Sequence, residues 1–330
     1  MSITETKNSI PLSYEATKCV IRYLNVKTRE TMSSQVQSIR RINNIIPFHI
    51  ETLTINESSF GINDTEWIFE EYEERQVVLQ NKTKMIVYWK NKRRCTIEID
   101  LSPKILYEKM VKFYVRKQTV VRDNVFLLGT PRLLENAVTF RDKHIITQSV
   151  EILSMFSHTY ETFRSFLSLE FVTKMQIMLT DGSVETLDNP EVKNCPVLSL
   201  CCPPFRPLAN SLLYRMMSFE NKILILEYLD FPMEDAVRLI EDWIGSNRKT
   251  GTRFSWIQKD TKTARDAVSS IQEKFGAVPD TDHRQYKNVI KIPMANKRDL
   301  IIYTGQITKL RQQRKGALYP TFEIEIVEGN

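Results

Sequence analysis

The stretch Pro232-Met-Glu-Asp-Ala-Val-Arg-Leu-Ile-Glu-Asp-Trp-Ile244, then Phe254-Ser-Trp-Ile257, then Thr261 through Phe275 and Gly276, decides the fold class. Met233, Ala236, Val237, Ile240, Trp243 and Ile244 recur at i, i+3, i+4 and i+7, which gathers them on one stripe of a helix. Phe254–Ile257 reads as a short strand. Ala264, Ala267, Val268, Ile271 and Phe275 repeat the helical stripe, and Gly276 is the residue that stops a helix in the left-handed conformation. Three strands close the chain at Val289–Ile292, Leu300–Tyr303 and Phe322–Val327. In the last, Phe322, Ile324 and Ile326 alternate with Glu323 and Glu325, the two-residue period of a half-buried strand. Helices alternating with strands predict an α+β fold in which a mixed sheet is covered by helices.

The upstream chain continues this alternation. Phe48–Ile55 and Thr119–Leu128 read as strands, while the acidic run Asp64–Arg75 reads as a loop or a weak strand. Met85–Trp89 and Cys95–Leu101 form a hairpin with a basic tip, Lys90 to Arg94; Cys95, Ile97, Ile99 and Leu101 alternate with Thr96, Glu98 and Asp100. Ser102 and Pro103 start a helix as N-cap and first-turn proline, with Ile105, Leu106, Met110, Phe113 and Tyr114 as its apolar face. Ile145–Phe156 and Phe163–Phe171 read as helices and Lys174–Leu179 as a strand. Val192 to Leu200 is similar to one step of a leucine-rich repeat, a helix end feeding a strand, although the spacing is not sustained.

At the start of the chain, Leu12, Ala16, Val20 and Leu24 recur every four residues, with Ile21 widening the stripe and Ser13 placed to cap a helix over 12–24. A polar break at Asn25–Thr31 follows. Val36–Asn43 is a second short helix with Val36, Ile39 and Ile42 inward, closed before Pro47. The resulting division is a polar tail at 1–10, a helical module at 11–47, an α/β middle region at 48–217 and a C-terminal α/β region at 218–330.

Composition narrows the function classes. The 330 residues hold 42% hydrophobic and 26% charged side chains, enough apolar material for a large core. Net charge is only +6, a surplus too mild to identify a nucleic-acid binder. The 9 glycines form neither a Gly-x-Gly-x-x-Gly run nor a P-loop, so no cofactor motif is present. Five irregularly spaced cysteines, Cys19, Cys95, Cys195, Cys201 and Cys202, read as reduced thiols. Cys195, Cys201 and Cys202 lack the paired spacing and nearby histidine of a zinc site. His49, His144, His158 and His283 are scattered, and neither a nucleophile elbow nor His-Glu-x-x-His occurs. No enzyme, metal or cofactor is therefore expected. A polar start and the lack of any apolar run near 20 residues lead to the expectation of a cytoplasmic or nuclear protein with no membrane contact.

Ile10-Pro11-Leu12 entering a helix, with Met32 and Val36 before a second helix ending Ser38-Ile39-Arg40-Arg41, resembles the opening of F-box-like proteins. In particular, the chain resembles a large nematode-expanded family of uncharacterised F-box-associated chains. Trp243, Arg248, Gly251, Thr252, Phe254 and Ser255 are similar to that family's Trp…Gly-Arg…Gly-Thr-x-Phe-Ser element, and Ile292-Pro293-Met294 with Leu300–Tyr303 to its closing strands. The resemblance implies an F-box-like N-terminal module that binds a Skp-family linker of a cullin-type ubiquitin ligase, and a C-terminal region that selects a protein target. Carried onto this chain, the linker-facing residues are Pro11, Leu12, Ile21, Leu24, Met32, Val36 and Ile39.

Two other readings stay open. The N-terminal stripe can pack on the chain's own sheet, leaving a protein-binding module without linker binding. Nucleic-acid binding could use Lys90, Lys92, Arg93 and Arg94 beside Trp89, and Lys309, Arg311, Arg314 and Lys315 beside Tyr319; solvated loops are the preferred reading of both groups.

Overall fold

A computed structural model describes residues 13–329 apart from 75–76, 90–93, 130–144, 154–159, 161–162, 165, 181–183, 203–210, 229–230, 281–284 and 309–317. Three helices open the chain: α1 (Tyr14–Tyr23), α2 (Val26–Gln35) and α3 (Gln37–Ile45). An antiparallel meander follows as β1 (His49–Ile55), β2 (Ser59–Ile62), β3 (Thr65–Glu74), β4 (Val77–Trp89) and β5 (Arg94–Ile99). Next come α4 (Pro103–Tyr114), β6 (Val120–Leu127), β7 (Ile146–Thr147), β8 (Ser149–Ile152), β9 (Lys174–Met178), α5 (Pro190–Lys193), β10 (Val197–Cys201) and α6 (Ser211–Met217). The chain ends with β11 (Ile223–Glu227), α7 (Met233–Gly245), β12 (Arg253–Ile257), α8 (Thr261–Phe275), β13 (Val278–Pro279), β14 (Lys287–Met294), β15 (Arg298–Thr308) and β16 (Leu318–Glu328).

All of these strands join one sheet of order β13-β14-β15-β16-β12-β11-β10-β9-β8-β6-β1-β2-β3-β4-β5, with β7 beside β6. Its centre, β1-β6-β8-β9-β10-β11-β12, is parallel throughout and follows chain order. The cross-strand partners Val125, Val150, Met175, Leu198, Leu224 and Phe254 stand 25, 25, 23, 26 and 30 residues apart. The step read at Val192–Leu200 is thus one of a series, each step adding one strand. The boundary drawn between 48–217 and 218–330 falls inside this array, between the paired strands β10 and β11.

Topology decides where the core sits. A right-handed crossover between parallel neighbours always places its connection on the same face when the sheet grows in one direction. One apolar cluster accordingly collects the buried residues of α4 (Tyr107, Val111), α5 (Val192), α6 (Leu213, Met216), α7 (Leu239, Trp243) and α8 (Val268, Ile271). They meet a continuous cross-strand row, Cys95-Val87-Trp67-Phe60-Ile55-Leu127-Ile152-Ile177-Leu200-Leu226-Trp256-Phe322. Each such side chain contributes about 1.5–3 kcal/mol on burial.

The turns entering the parallel strands share a device. Cys195 and Asn221 each stand two residues before their strand. Asn221 Nδ2 donates to the carbonyls of Val192 (3.0 Å) and Cys195 (2.6 Å) in the preceding step. The Cys195 thiol donates to the Val197 carbonyl at 3.4 Å and faces the Val172 carbonyl one step back at 4.0 Å. Buried turn carbonyls are satisfied by the next step's side chain, which links neighbouring steps without a regular ladder bond.

Most of the expected elements form. Ser102 caps α4 with Pro103 in its first turn, and Gly276 ends α8 at φ 59°. Some readings are corrected and one open choice is decided. Asn25–Thr31 is not a break: Asn25 Oδ1 accepts from Thr28 N at 2.8 Å and starts α2. Of the two readings of the acidic run the strand holds and the loop does not: Thr65–Glu74 is β3, because Trp67 and Phe69 alternate inward while Glu66 and Glu70 take the other face. Of the helix expected over Ile145–Phe156, residues 154–156 lie outside the described residues and the rest supplies β7 and β8: Val150 and Ile152 fill the core and Ser149 and Glu151 face away, a two-residue period that apolar content alone conceals. In the other expected helix, Phe163–Phe171, Leu169–Phe171 form a single 3-10 turn.

Asn221→Leu takes the Asn221 amide from the Cys195 carbonyl and leaves the Val192 carbonyl with the Cys195 N–H, so urea denaturation is expected to show a loss of about 1–3 kcal/mol. A loss below 1 kcal/mol would show that the step-to-step bonds do not matter.

Candidate recognition surface

One residue along from the apolar row, the same strands present a second row on the opposite face. It reads Arg94-Tyr88-Glu66-Gly61-Thr54-Phe126-Glu151-Gln176-Ser199-Ile225-Ser255-Glu323-Tyr303. The core cluster contains none of these side chains. Most are polar, and from Glu151 to Tyr303 all are buried.

The row is organised by its own hydrogen bonds. Glu323, fully buried, accepts from Arg253 Nε at 2.8 Å and from the hydroxyls of Ser255 and Thr321, so both carboxylate oxygens are engaged. Burial works against the Arg253 charge, yet its bond to Glu323 prevails and raises its pKa. Gly305 lies flat on Glu323: an added Cβ would stand 2.9 Å from Glu323 Cγ. Tyr303 donates to Glu325 Oε2 at 2.9 Å and stacks on Tyr286 with ring centroids 3.9 Å apart. Further along, Asn124 Nδ2 donates to Glu151, and Ser59 donates to Glu66 Oε1 at 2.9 Å.

The row reaches the surface at a groove of about 320 Å³ lined by Thr54, Gly61, Asp64, Glu66, Tyr88 and Trp89. Trp89 is 41% exposed there. A second groove, about 490 Å³, lies at the starts of β6, β7 and β9 among Lys117, Gln118, Ile146, Arg164, Phe171 and Glu191, with Arg164 paired to Glu191 at 2.7 Å. An exposed indole beside carboxylates and threonine is chemistry for holding a protein side chain, apolar contact with polar selection.

The N-terminal helices form the other candidate surface. Pro11 and Leu12 lie outside the described residues. Ile21, only 1% exposed, packs with Ile39, Ile42 and Ile46 inside the helical module and faces its own neighbours. Leu24 and Met32 are half-buried, and Val36 is exposed. The apolar side chains that do face outward are Tyr14, Val20, Tyr23, Val36 and Ile45, with Tyr23 at 73%. Periodicity marked the stripe but could not divide it into inner and outer parts.

Two arginines fasten this module to the sheet. Arg29 of α2 donates to Asn43 Oδ1 (2.7 Å) and to the carbonyls of Asn43 (3.3 Å), Ile46 (2.9 Å) and Pro47 (2.8 Å). Arg116, just past α4, donates to the Asn43 and Ile46 carbonyls and to Phe113. The Asn43 and Ile46 carbonyls that both arginines share lie at the negative end of α3, so both cations suit them electrostatically. Both guanidiniums also stand over the Phe48 ring, at 4.0 and 4.6 Å. Burial, and for Arg29 also the neighbouring Arg116, lowers both pKa values to about 10, so both stay charged at neutral pH. Sequence reading missed this pair; an arginine inside a segment taken as a break gave no signal.

The two buried thiols are quiet. Burial pushes Cys195 up to about 11 and Cys202 further still, which removes the thiolate needed for nucleophilic chemistry. Among the described residues, no three His, Cys, Asp or Glu side chains gather as metal ligands, and no helix is long and apolar enough to cross a membrane. Lys90, Lys92, Arg93, Lys309, Arg311, Arg314 and Lys315 lie outside the described residues.

Residues 139–259 match a family model described as a Domain of unknown function (DUF3557). The match spans β7 to β12 and so covers much of the parallel array. No curated protein and no solved structure matches the chain.

Arg29→Met is expected to destabilise the module by about 2–4 kcal/mol by leaving carbonyls unpaired. Hydrogen exchange should then show fast amides in α1–α3 with β9–β12 unchanged. Uniform acceleration through the whole chain would contradict a local clasp.

Proposed function

We propose that this chain is a non-enzymatic recognition adaptor: the end of the polar face that opens at the groove of Thr54, Gly61, Glu66 and Tyr88 holds a protein target, and the N-terminal helices dock a Skp-family linker of a cullin-type ubiquitin ligase. The observation that carries the target half is the division of the sheet into a helix-covered apolar face and a polar face whose members Thr54, Gly61, Glu66 and Tyr88 surface in a groove that Trp89 helps to line. The linker half rests on the resemblance to F-box-like proteins and on the outward Val20, Tyr23, Val36 and Ile45, apolar side chains that a partner helix would cover. A cytoplasmic or nuclear place of action belongs to the same proposal, as does the absence of catalysis.

A second reading is a diverged binding module with no linker. It draws on the packing of Ile21 and Ile39 with Ile42 and Ile46, which takes two of the linker-facing candidates into the module's own core. Nucleic-acid binding is a third and weaker reading, disposed of by undetectable or salt-insensitive binding to mixed RNA and DNA.

Affinity capture with the full chain tests the adaptor. Capture of a Skp-family linker and a cullin is expected, lost in Tyr23→Asp/Val36→Asp and kept in Trp89→Ala, while Trp89→Ala alone loses the target. Absence of both ligase components, with folded protein, would leave the second reading.

A further inference from the structure

The two edges of the sheet are finished differently. At one end β13 has only two residues and terminates in Pro279, a short, proline-blunted edge. At the other end β5 is a six-residue strand, Arg94-Cys-Thr-Ile-Glu-Ile99, with no proline. It is exposed along most of its length, and Ile97 is 42% exposed although it lies on the core side of the sheet with Cys95 and Ile99. Helix α4 packs against β2, β3 and β4, where its buried residues meet the core. Among the described residues, an unpaired backbone edge therefore coincides with an apolar side chain left in water.

We propose that β5 pairs with β5 of a second copy of this chain, antiparallel and centred on Thr96, to make a symmetric dimer with one continuous sheet. The strand is complementary to itself in that register. Arg94 faces Glu98 of the second copy and Glu98 faces its Arg94, on the polar side of the sheet. Thr96 faces Thr96. On the core side Cys95 faces Ile97 and Ile97 faces Cys95. Opposite charges, paired threonines and paired apolar residues are the combinations that stabilise antiparallel neighbours, whereas like charges directly opposite weaken them. A two-fold axis makes every favourable pair occur twice. Arg94 already lies over Tyr88 on the adjacent strand, at 5.8 Å from the ring, which holds its side chain on the polar side.

Sedimentation equilibrium of the full chain over a wide concentration range tests this. The expected mass rises from 38.7 kDa toward twice that value. Arg94→Glu sets glutamate against glutamate and should remove the dimer; Arg94→Glu/Glu98→Arg restores opposite charges and should recover it. Both positions are exposed, and circular dichroism confirms that each variant is folded. Thr96→Cys should form a disulfide between copies, mapped to residue 96 on both chains, because directly opposed residues lie within disulfide reach. A monomer at every concentration, a dimer indifferent to Arg94→Glu, or a β5 edge occupied by a strand of another protein instead of a second copy would each overturn the proposal.

Discussion

Cross-strand register is the constraint on which the rest of this structure depends. From Cys95 on β5 to Phe322 on β16, one apolar side chain per strand stands beside the next and every helix from α4 onward packs onto that side. A shift of one residue in any central strand would carry its apolar set to the other face and bring Glu151, Gln176 or Glu323 under the helices. Burying a carboxylate there without partners would cost several kcal/mol. The register is therefore fixed from both sides, by apolar burial on one and by the Glu323 network on the other.

Chain-order winding gives that register its functional consequence. Because each step adds its strand beside the last, the crossovers stay on one face and the polar row remains on the other. The Asn221 and Cys195 bonds join one step to the next at the turns, beside the backbone bond from Glu220 N–H to the Lys193 carbonyl. At the start of the array, Arg29 and Arg116 clasp the end of α3 over Phe48, which fixes the helical module relative to the polar face. In the proposed adaptor, this clasp would hold the two surfaces in one geometry.

Much of this was legible in the sequence, and the failures have physical causes. Helices α7 and α8 and strands β12 and β16 were readable because their periods are clean: Trp243 and Ile271 fall on helical stripes, and Ile324 alternates with glutamates. Strand β8 was not, because Ile145, Ile146, Val150 and Ile152 are apolar at spacings that suit either period, and only the slot between β6 and β9 decides. Strand β3 was obscured by its glutamates, which are tolerated because they face away from the core; Lys84 meets Glu70 there at 3.1 Å. The polar row could not be read at all. Its members come from thirteen strands scattered between Thr54 and Glu323, and register, a property of the folded sheet, assembles them.

Engineered cysteine pairs on the polar row test that register most directly. Gln176→Cys/Ser199→Cys places thiols on adjacent strands in one row, and Gln176→Cys/Ile225→Cys places them two strands apart. Adjacent strands lie about 4.8 Å apart, within disulfide reach, and alternate strands about twice that, beyond it. Oxidation followed by peptide mapping should link 176 to 199 and fail to link 176 to 225. A 176–225 crosslink, or none between 176 and 199 in folded protein, would contradict the chain-order sheet and with it the polar face.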